Sequence, residues 1–273
     1  MSTLEEEEAQ LPSYEVLSAD HRPPSLSPEA RRLFWTLDRP LADSVWIMKD
    51  AYSPDSIEPY FCDQTWHLFS QSPLTEPKVS SITVHNDNLD EWEDCWLDCH
   101  RDHSDSDCVD ENGEIVESDG TLSVRWGDLP DYDPGEDENG PKHLLICCGT
   151  KRPRGKTASV TVKPTATPFV TVHDYLSTVH PWLLSSRDDL LAAMGLWDDK
   201  PRPAETKLMI NYIAPDCLTV EEQAEWIHIA RQPPNPWVLE LLALQQGVAA
   251  QTEAGHGESS GMPRQDDVGT FNG

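Results

Sequence analysis

The chain is short of basic residues, with 20 Lys and Arg against 49 Asp and Glu in 273 residues and a formal net charge of −29. Because contacts to a phosphate backbone need a surplus of Lys and Arg, this balance argues against a nucleic-acid-binding protein. Hydrophobic residues make up only 37%, below the roughly 45–50% of ordinary globular chains, a range that also counts glycine. The ten tryptophans nevertheless exclude a fully disordered polyanion, since such chains are poor in aromatic residues.

Long apolar runs are also missing. The longest one late in the chain, residues 237–250, is interrupted by Glu240, Gln245 and Gln246, and nothing approaches the roughly 18 apolar residues that would predict a membrane span. Residues 1–8 are acidic and lack the basic and apolar segments of a targeting signal. Seven cysteines without a secretion signal or regular disulfide spacing indicate reduced thiols, so we expect a cytoplasmic or nuclear protein that binds no membrane.

Sequence signatures of catalysis are absent. The chain contains no G-x-S-x-G elbow, no phosphate-binding G-x-x-x-x-G-K-S/T loop, no G-x-G-x-x-G and no H-E-x-x-H. His173, Asp174 and His180 fall on one predicted helix, but Asp174 has a capping position there. Cys147 and Cys148 end an apolar strand and are more typical of a core than of a nucleophile. We therefore predict no catalytic residues.

Composition predicts one folded domain with appendages. Residues 1–29 are acidic and rich in Pro and Ser and are expected to be disordered, as is the small, polar tail at 245–273. Residues 30–244 carry the core-forming aromatic and aliphatic residues and are predicted to form a single domain. Acidic loops are expected at about 101–120 and 127–142.

The domain is predicted to be α+β. Short β-branched or alternating segments predict strands at residues 80–85, 121–126, 143–148, 158–163 and 207–213. Three- and four-residue apolar spacing or capping signals predict helices at residues 28–35, 88–100, 172–180, 181–194, 219–231 and 238–244. The helix at residues 219–231 is predicted from Thr219 and Glu222, which form an S/T-x-x-E capping box at its start. Because the order shows no regular βαβ alternation, we expect a small, mostly antiparallel sheet with packed helices.

The negative charge is concentrated in one segment. Residues 90–139 contain 19 acidic residues and only two basic ones, Arg101 and Arg125, a net charge of −17. More than half of the total charge therefore lies in 50 residues. This pattern indicates acidic loops on a folded domain, facing either solvent or a basic protein partner.

A cluster of potential metal ligands lies at Cys95, Cys99, His100, His103 and Cys108. On a helix, Cys95, Cys99 and His103 share one face, and zinc takes four thiolate and imidazole ligands in a tetrahedral array. The candidate zinc site is therefore Cys95, Cys99, His103 and Cys108. The favoured alternative is that the cysteines lie on a buried stripe with two neighbouring tryptophans and bind no metal.

Three further charged segments each have a binding interpretation and a structural one. Residues 105–117 and 131–139 are rich in carboxylates, but neither has the ligand positions of an EF-hand loop, so a solvated acidic loop is favoured over a calcium site. Residues 151–156, KRPRGK, contain four cations. They resemble a minimal nuclear-import signal or an anion patch, and the favoured alternative is a basic turn that partners the acidic loops.

Residues 166–194 carry a pattern in which a Pro-containing strand leads into a capped helix and then a helix pair. The matching positions are Val170, Thr171, Val172, Asp174, Tyr175 and Leu176. This pattern, with the later strand near residues 208–213, is similar to a fungal domain family of unknown function over about residues 158–215. The resemblance implies neither an activity nor a cofactor, and it assigns no site residues.

Three functional hypotheses follow. The first is a non-catalytic fungal interaction protein whose acidic surface meets a basic partner. The second is an enzyme or accessory factor of fungal secondary metabolism with a pocket lined by Trp and His. The third is a domain stabilised by zinc around Cys95–Cys108. The sequence predicts no cofactor for the first two and leaves the oligomeric state open.

Overall fold

The computed structural model describes residues 11–101, 114–116, 122–130, 143–154, 158–196 and 202–232. The chain divides into two compact units, Met1–Arg231 and Gln232–Gly273. Every helix and strand named below belongs to the first unit, and of the second unit only residue 232 is described.

Six helices are present in the described residues, together with three short 3-10 turns. The helices are α1 (Tyr14–Ala19), α2 (Asp87–Asp90), α3 (Trp92–Cys99), α4 (Val172–Ser185), α5 (Arg187–Gly195) and α6 (Gln223–Ala230). None of them is long and apolar enough to cross a bilayer.

The described strands form two four-stranded sheets and three smaller ones. In chain order they are β1 (Ser25–Leu26), β2 (Leu33–Trp35), β3 (Val45–Met48), β4 (Ile57–Pro59), β5 (Phe61–Cys62), β6 (Thr65–Trp66), β7 (Thr75–Glu76), β8 (Ile82–Asn86), β9 (Glu114–Val116), β10 (Leu122–Gly127), β11 (His143–Cys147), β12 (Thr150–Lys151), β13 (Ser159–Val162), β14 (Leu208–Ala214) and β15 (Cys217–Glu222).

The central sheet has the order β13-β8-β15-β14. Its pairings are antiparallel except for a short parallel contact between β8 and β15 at Cys217 and Leu218. Alternate residues of β8 are buried, as expected for a strand with one face on a core. Helix α4 packs against β13. The confirmed result is an α+β fold dominated by antiparallel sheets.

A large core lies on the central sheet. It contains 26 buried hydrophobic residues among those described, including Trp35, Tyr175, Leu176 and Leu183. The three-stranded sheet β2-β3-β4 contributes to it and continues into β14, because the amide of Leu37 donates to the carbonyl of Leu208 at 3.0 Å.

The second four-stranded sheet is an antiparallel meander with the order β12-β11-β10-β9. Its core is small, with four buried residues among those described: Trp96 from α3, Val124, Leu144 and Cys147. Its strands include β9, a strand that the sequence analysis missed inside the predicted acidic loop at 101–120.

Five strand predictions are confirmed to within two or three residues at each end, namely β8, β10, β11, β13 and β14. The helix predicted at 88–100 is present as α2 and α3, separated at Glu91. The prediction for residues 172–194 placed a helix start at Pro181, but Pro181 lies inside α4, which continues to Ser185.

The helix predicted at residues 28–35 is wrong. A 3-10 turn occupies Ala30–Arg32, and Leu33–Trp35 then forms β2. The sequence signal for this helix was Ser27 as an N-cap followed by Pro28 at the first helical position. Pairing of Phe34 with Trp46 on β3 stabilises the extended backbone, so a tertiary contact outweighs that signal.

The capping box predicted at Thr219 and Glu222 is also wrong, because both residues belong to β15. Thr219 pairs with Asn211 and Glu222 with Leu208 in the hairpin with β14. Helix α6 therefore begins only at Gln223.

The chain is already ordered at residue 11, which differs from the disorder predicted for residues 1–29. Ser13 caps α1, and Tyr14 is buried against the central sheet, where its amide donates to the carbonyl of Ser81 at 2.9 Å. The predictions for residues 1–10, most of both acidic loops, the helix at 238–244 and the tail at 245–273 lie outside the described residues.

Candidate functional site: an acidic cleft

A cleft of about 250 Å³ opens between the segment α2–α3, helix α5 and the junction of β15 with α6. Its volume is slightly below the range of about 300–1,000 Å³ for small-molecule pockets. A cleft of this size suits one long side chain or a small organic ion better than a cofactor.

Two asparagines hold the α2 side of the cleft against β15. Asn86 caps α2 by accepting from the amide of Leu89 at 3.1 Å, and its Nδ2 donates to the carbonyl of Leu218 at 3.0 Å. Asn88 accepts from the amide of Val220 at 2.7 Å and donates to its carbonyl at 3.2 Å. The side chain of Asn88 thus continues the pairing with β15 beyond the end of β8, where the backbone has entered α2.

The cleft is strongly acidic. Five carboxylates line it: Asp87, Glu91, Glu221, Glu222 and Glu225. Arg202 is the one Lys or Arg among the lining residues that the structure describes, and its Nη1 lies 2.9 Å from Oε1 of Glu222. The remaining carboxylates give the cleft a negative potential that favours a cationic ligand.

The carboxyl group of Glu221 shows the effect of this crowding. Burial, followed by the nearby charge of Glu225, raises the pKa of Glu221, against a hydrogen bond with Asn211 that lowers it. A cation placed beside Glu221 would relieve this repulsion.

One wall of the cleft is apolar. Trp92, at the start of α3, is half-buried, and Met194 of α5 and Cys95 also line the cleft. The face of an indole attracts cations, so Trp92 adds a second element that favours a positively charged group.

Two of the four predicted zinc ligands, Cys95 and Cys99, lie one turn apart on α3. Cys95 lines the acidic cleft, whereas Cys99 is half-buried one turn later on α3. His103 and Cys108 lie outside the described residues, so the four-residue zinc site stays a prediction.

A second cluster joins α3 to the meander sheet. His100 follows α3, Cys147 ends β11 and Cys148 begins the turn to β12; one ligand atom from each lies within 4.8 Å of the others. The sequence analysis placed both cysteines in a core, but only Cys147 is buried, and Cys148 is exposed in the turn to β12. Burial, followed by the neighbouring Cys148, raises the pKa of Cys147 to about 12, so it is no thiolate nucleophile at neutral pH.

The basic turn pairs with one acidic residue of helix α3, whereas its predicted pairing with the acidic loops falls mostly on residues outside those described. Arg152 Nε lies 2.6 Å from Oε1 of Glu93 on α3, and Arg154 Nη1 lies 3.9 Å from the same oxygen. Two of the four cations at residues 151–156 thus bind an acidic residue of the same chain.

The histidines of α4 are held by structural contacts. His180 accepts from the indole of Trp35 at 2.9 Å and donates to the carbonyl of Arg39 at 2.8 Å. Nδ1 of His173 lies 3.3 Å from the hydroxyl of Tyr60. Burial lowers the pKa of both histidines.

Asp174 forms the predicted capping box with Thr171. Its Oδ1 accepts from the amide and hydroxyl of Thr165, and its Oδ2 accepts from the amide and hydroxyl of Thr171. Burial acts to raise the pKa of Asp174, but these four hydrogen bonds hold it below its ordinary value. The group serves as a helix cap.

The sequence predicted that Trp92 and Cys95 share one helix, but it predicted neither the cleft nor the part that β15 and α6 have in it. Glu221 and Glu225 were assigned to the helix predicted at residues 219–231, and nothing in their local spacing indicates that they line one cleft with Trp92. Comparisons with protein-family models, with curated proteins and with solved structures found no match to this chain.

Proposed function

We propose that the protein is a non-catalytic interaction module that binds a basic segment of another protein and takes a Lys or Arg side chain into the acidic cleft. The observation that carries this proposal is the composition of the cleft: five carboxylates and the ring of Trp92 surround a space in which Arg202 already pairs with Glu222.

The electrostatics support a side chain as the ligand. An ammonium or guanidinium group at the cleft would meet Glu221 and Glu225, while its aliphatic stem would pack on Trp92 and Met194. The excess of acidic residues at 90–139 would add long-range attraction and speed the encounter with a basic partner.

The non-catalytic part of the proposal rests on the roles of the titratable groups. Asp174 is used as a cap, His180 bonds to Trp35 and Arg39, and Cys147 is buried in the small core. Each of these groups already has a structural explanation.

The test is titration of the full chain with fluorescent peptides of equal length, one containing spaced Arg and Lys residues and one with Gln at those positions. We expect the basic peptide to bind and the Gln peptide not to bind, with affinity falling as salt rises. The double variant Glu221→Gln/Glu225→Gln should lower affinity about tenfold or more, because charged partners lost from a desolvated contact cost about 2 kcal/mol or more.

The matched control is Asp43→Asn/Glu76→Gln, which removes the same charge from two exposed positions away from the cleft. It should change affinity by less than about twofold, since exposed charges act weakly at a distance. Equal losses for the two double variants would mean that only net charge matters, and the cleft would be rejected as the binding site. Trp92→Leu should weaken binding without changing its salt dependence.

A further inference from the structure

We infer that His100, Cys147 and Cys148 form a zinc site, independent of the acidic cleft and different from the ligand set Cys95, Cys99, His103 and Cys108. Two thiols and one imidazole converge where the end of α3 meets the turn between β11 and β12. This donor set is one that zinc prefers, and a Cys2His site leaves its fourth tetrahedral position to water.

The spacing of the donor atoms fits the ion. The sulfurs of Cys147 and Cys148 are 3.8 Å apart. Two sulfurs that each lie about 2.3 Å from a tetrahedral zinc ion are separated by about 3.8 Å. The third ligand atom, from His100, lies within 4.8 Å of both sulfurs, against about 3.6 Å in a regular site. A movement of about 1 Å by one imidazole ring would complete the geometry.

The orientation of His100 is also suitable. Its Nδ1 lies 2.7 Å from the carbonyl of Trp96, so Nδ1 carries the proton that is donated. The lone pair is then on Nε2, which lies 3.5 Å from the hydroxyl of Thr150 on the same hairpin as the two cysteines. A backbone carbonyl that fixes the opposite nitrogen is the usual arrangement behind a metal-binding histidine.

Cys148 occupies an unusual position for a cysteine. Cys148 and Gly149 form a two-residue turn with φ values of +49° and +73°, typical of a type I′ hairpin. Asn, Asp and Gly are preferred at such positions, because most side chains are strained there. The β5–β6 hairpin has the same register and places Asp63 at the equivalent position. A role as a metal ligand would explain why a cysteine, and not Asn, Asp or Gly, occupies position 148 in this strained turn.

Charge balance suits the location. Zinc binding would release one proton from each thiol, and two thiolates with a neutral imidazole would neutralise the charge of Zn²⁺. A neutral complex is acceptable beside the small core, where Cys147 and His100 are buried. The ion would tie α3 to a sheet that has only four buried core residues among those described.

The experiment uses the full chain, reduced and freed of metal with a chelator. Zn²⁺ is added in competition with a chromophoric chelator, and Co²⁺ is added separately to detect the sulfur-to-cobalt charge-transfer band. We expect one Zn²⁺ per chain and a Co²⁺ band whose intensity corresponds to two thiolates.

The diagnostic variant is Cys148→Asn, because Asn is favoured in the turn and should preserve the fold while removing a ligand. The zinc affinity of this variant should fall at least about tenfold, and the zinc affinity of His100→Gln should fall by a similar factor. Far-ultraviolet circular dichroism checks that both variants are folded. The matched control is Cys62→Ser, which alters the cysteine at the start of the other two-residue hairpin and should bind zinc as the unmodified chain does.

The double variant Cys95→Ser/Cys99→Ser separates this site from the one predicted from sequence, and it should retain zinc. The inference is overturned if the chain binds no stoichiometric zinc, if Cys148→Asn binds it unchanged, or if only the Cys95→Ser/Cys99→Ser variant loses it. A mass two hydrogen atoms lower before reduction than after it, mapped to the Cys147–Cys148 peptide, would show a disulfide between these residues and would also overturn it.

Discussion

The large core and the small core of this protein are stabilised in different ways. The large core has 26 buried hydrophobic residues among those described, drawn from α1, α4, α5 and the sheets that surround them. The small core beneath the meander sheet has four, and one of them is a cysteine. Burial of apolar area can account for the first, whereas the second requires additional contacts.

Polar contacts add stabilisation that the small core does not obtain from burial of apolar area. The indole of Trp96 donates to the hydroxyl of Thr150 at 3.1 Å, and Arg152 pairs with Glu93 across the same junction of α3 with the meander sheet. Both partners of the ion pair are largely shielded from solvent. We therefore expect the central sheet to dominate the stability of the unit and the meander sheet to depend on specific links to α3.

The largest effect is expected in the large core. Leu176 of α4 is fully buried, so Leu176→Ala should lower the free energy of unfolding by about 2–5 kcal/mol through lost burial and a residual cavity. Urea denaturation followed by circular dichroism measures this change. A loss below about 1 kcal/mol would mean that the core relaxes around the cavity and that α4 is not central to stability.

The corresponding change in the small core should have a smaller and more local effect. Leu144→Ala should cost about 2 kcal/mol, at the low end for such substitutions, because few buried neighbours surround Leu144. Hydrogen exchange should accelerate in β10 and β11 and stay unchanged in α4. Equal acceleration in α4 would show that the two cores unfold together, contrary to the comparison.

A smaller effect is expected at the buried cap of the large core. Asp174→Asn removes the charged acceptor of the capping box and should lower the free energy of unfolding by about 1–2 kcal/mol at neutral pH. Because the pKa of Asp174 is lowered on folding, its contribution is present above the ordinary carboxyl range and is lost as pH falls through the folded pKa. The difference between the two proteins should therefore shrink in acid. Asp188→Asn, in the first turn of α5, is the control and should cost less.

The smallest effect is expected for the contribution of His180 to the pH dependence of the free energy of unfolding. The folded pKa of His180 is lowered from 6.5 by burial, so the unfolded chain binds more protons there as pH drops below about 6.5. Stability should fall with acidification through this window. In His180→Gln the slope of unfolding free energy against pH, measured by urea denaturation between pH 5 and pH 7, should be smaller. An identical slope would mean that His180 does not titrate differently on folding.

Local pattern predicted much of the fold. Alternating or β-branched segments located β8, β10, β11, β13 and β14, because one side of each strand is covered by a core. The cap at Thr171 was also found, since its partner Asp174 is only three residues away. Predictions failed where a distant strand decides the conformation, as at Leu33–Trp35 and at the end of β15.

The candidate sites were also missed where they depend on residues that are distant in sequence. Trp92 and Cys95 were recognised on one helix, but the cleft also needs Glu221, which is more than 120 residues away in sequence. His100 meets Cys147 and Cys148 only because β11 returns to α3. The Cys-Cys-Gly sequence at the end of a predicted strand was the available signal, since cysteine is rare in tight hairpin turns. The resemblance to a fungal family stays a prediction.

The asparagines of the acidic cleft also restrict how a partner can bind. Beyond Leu218, the edge of β15 that faces α2 has its main-chain groups at Val220 bonded to the side chain of Asn88. An incoming peptide therefore finds no edge at Val220 to which it could add a strand. Recognition at the cleft must come from side chains, so a partner would be selected by the spacing of its cationic residues, with little demand on its backbone conformation.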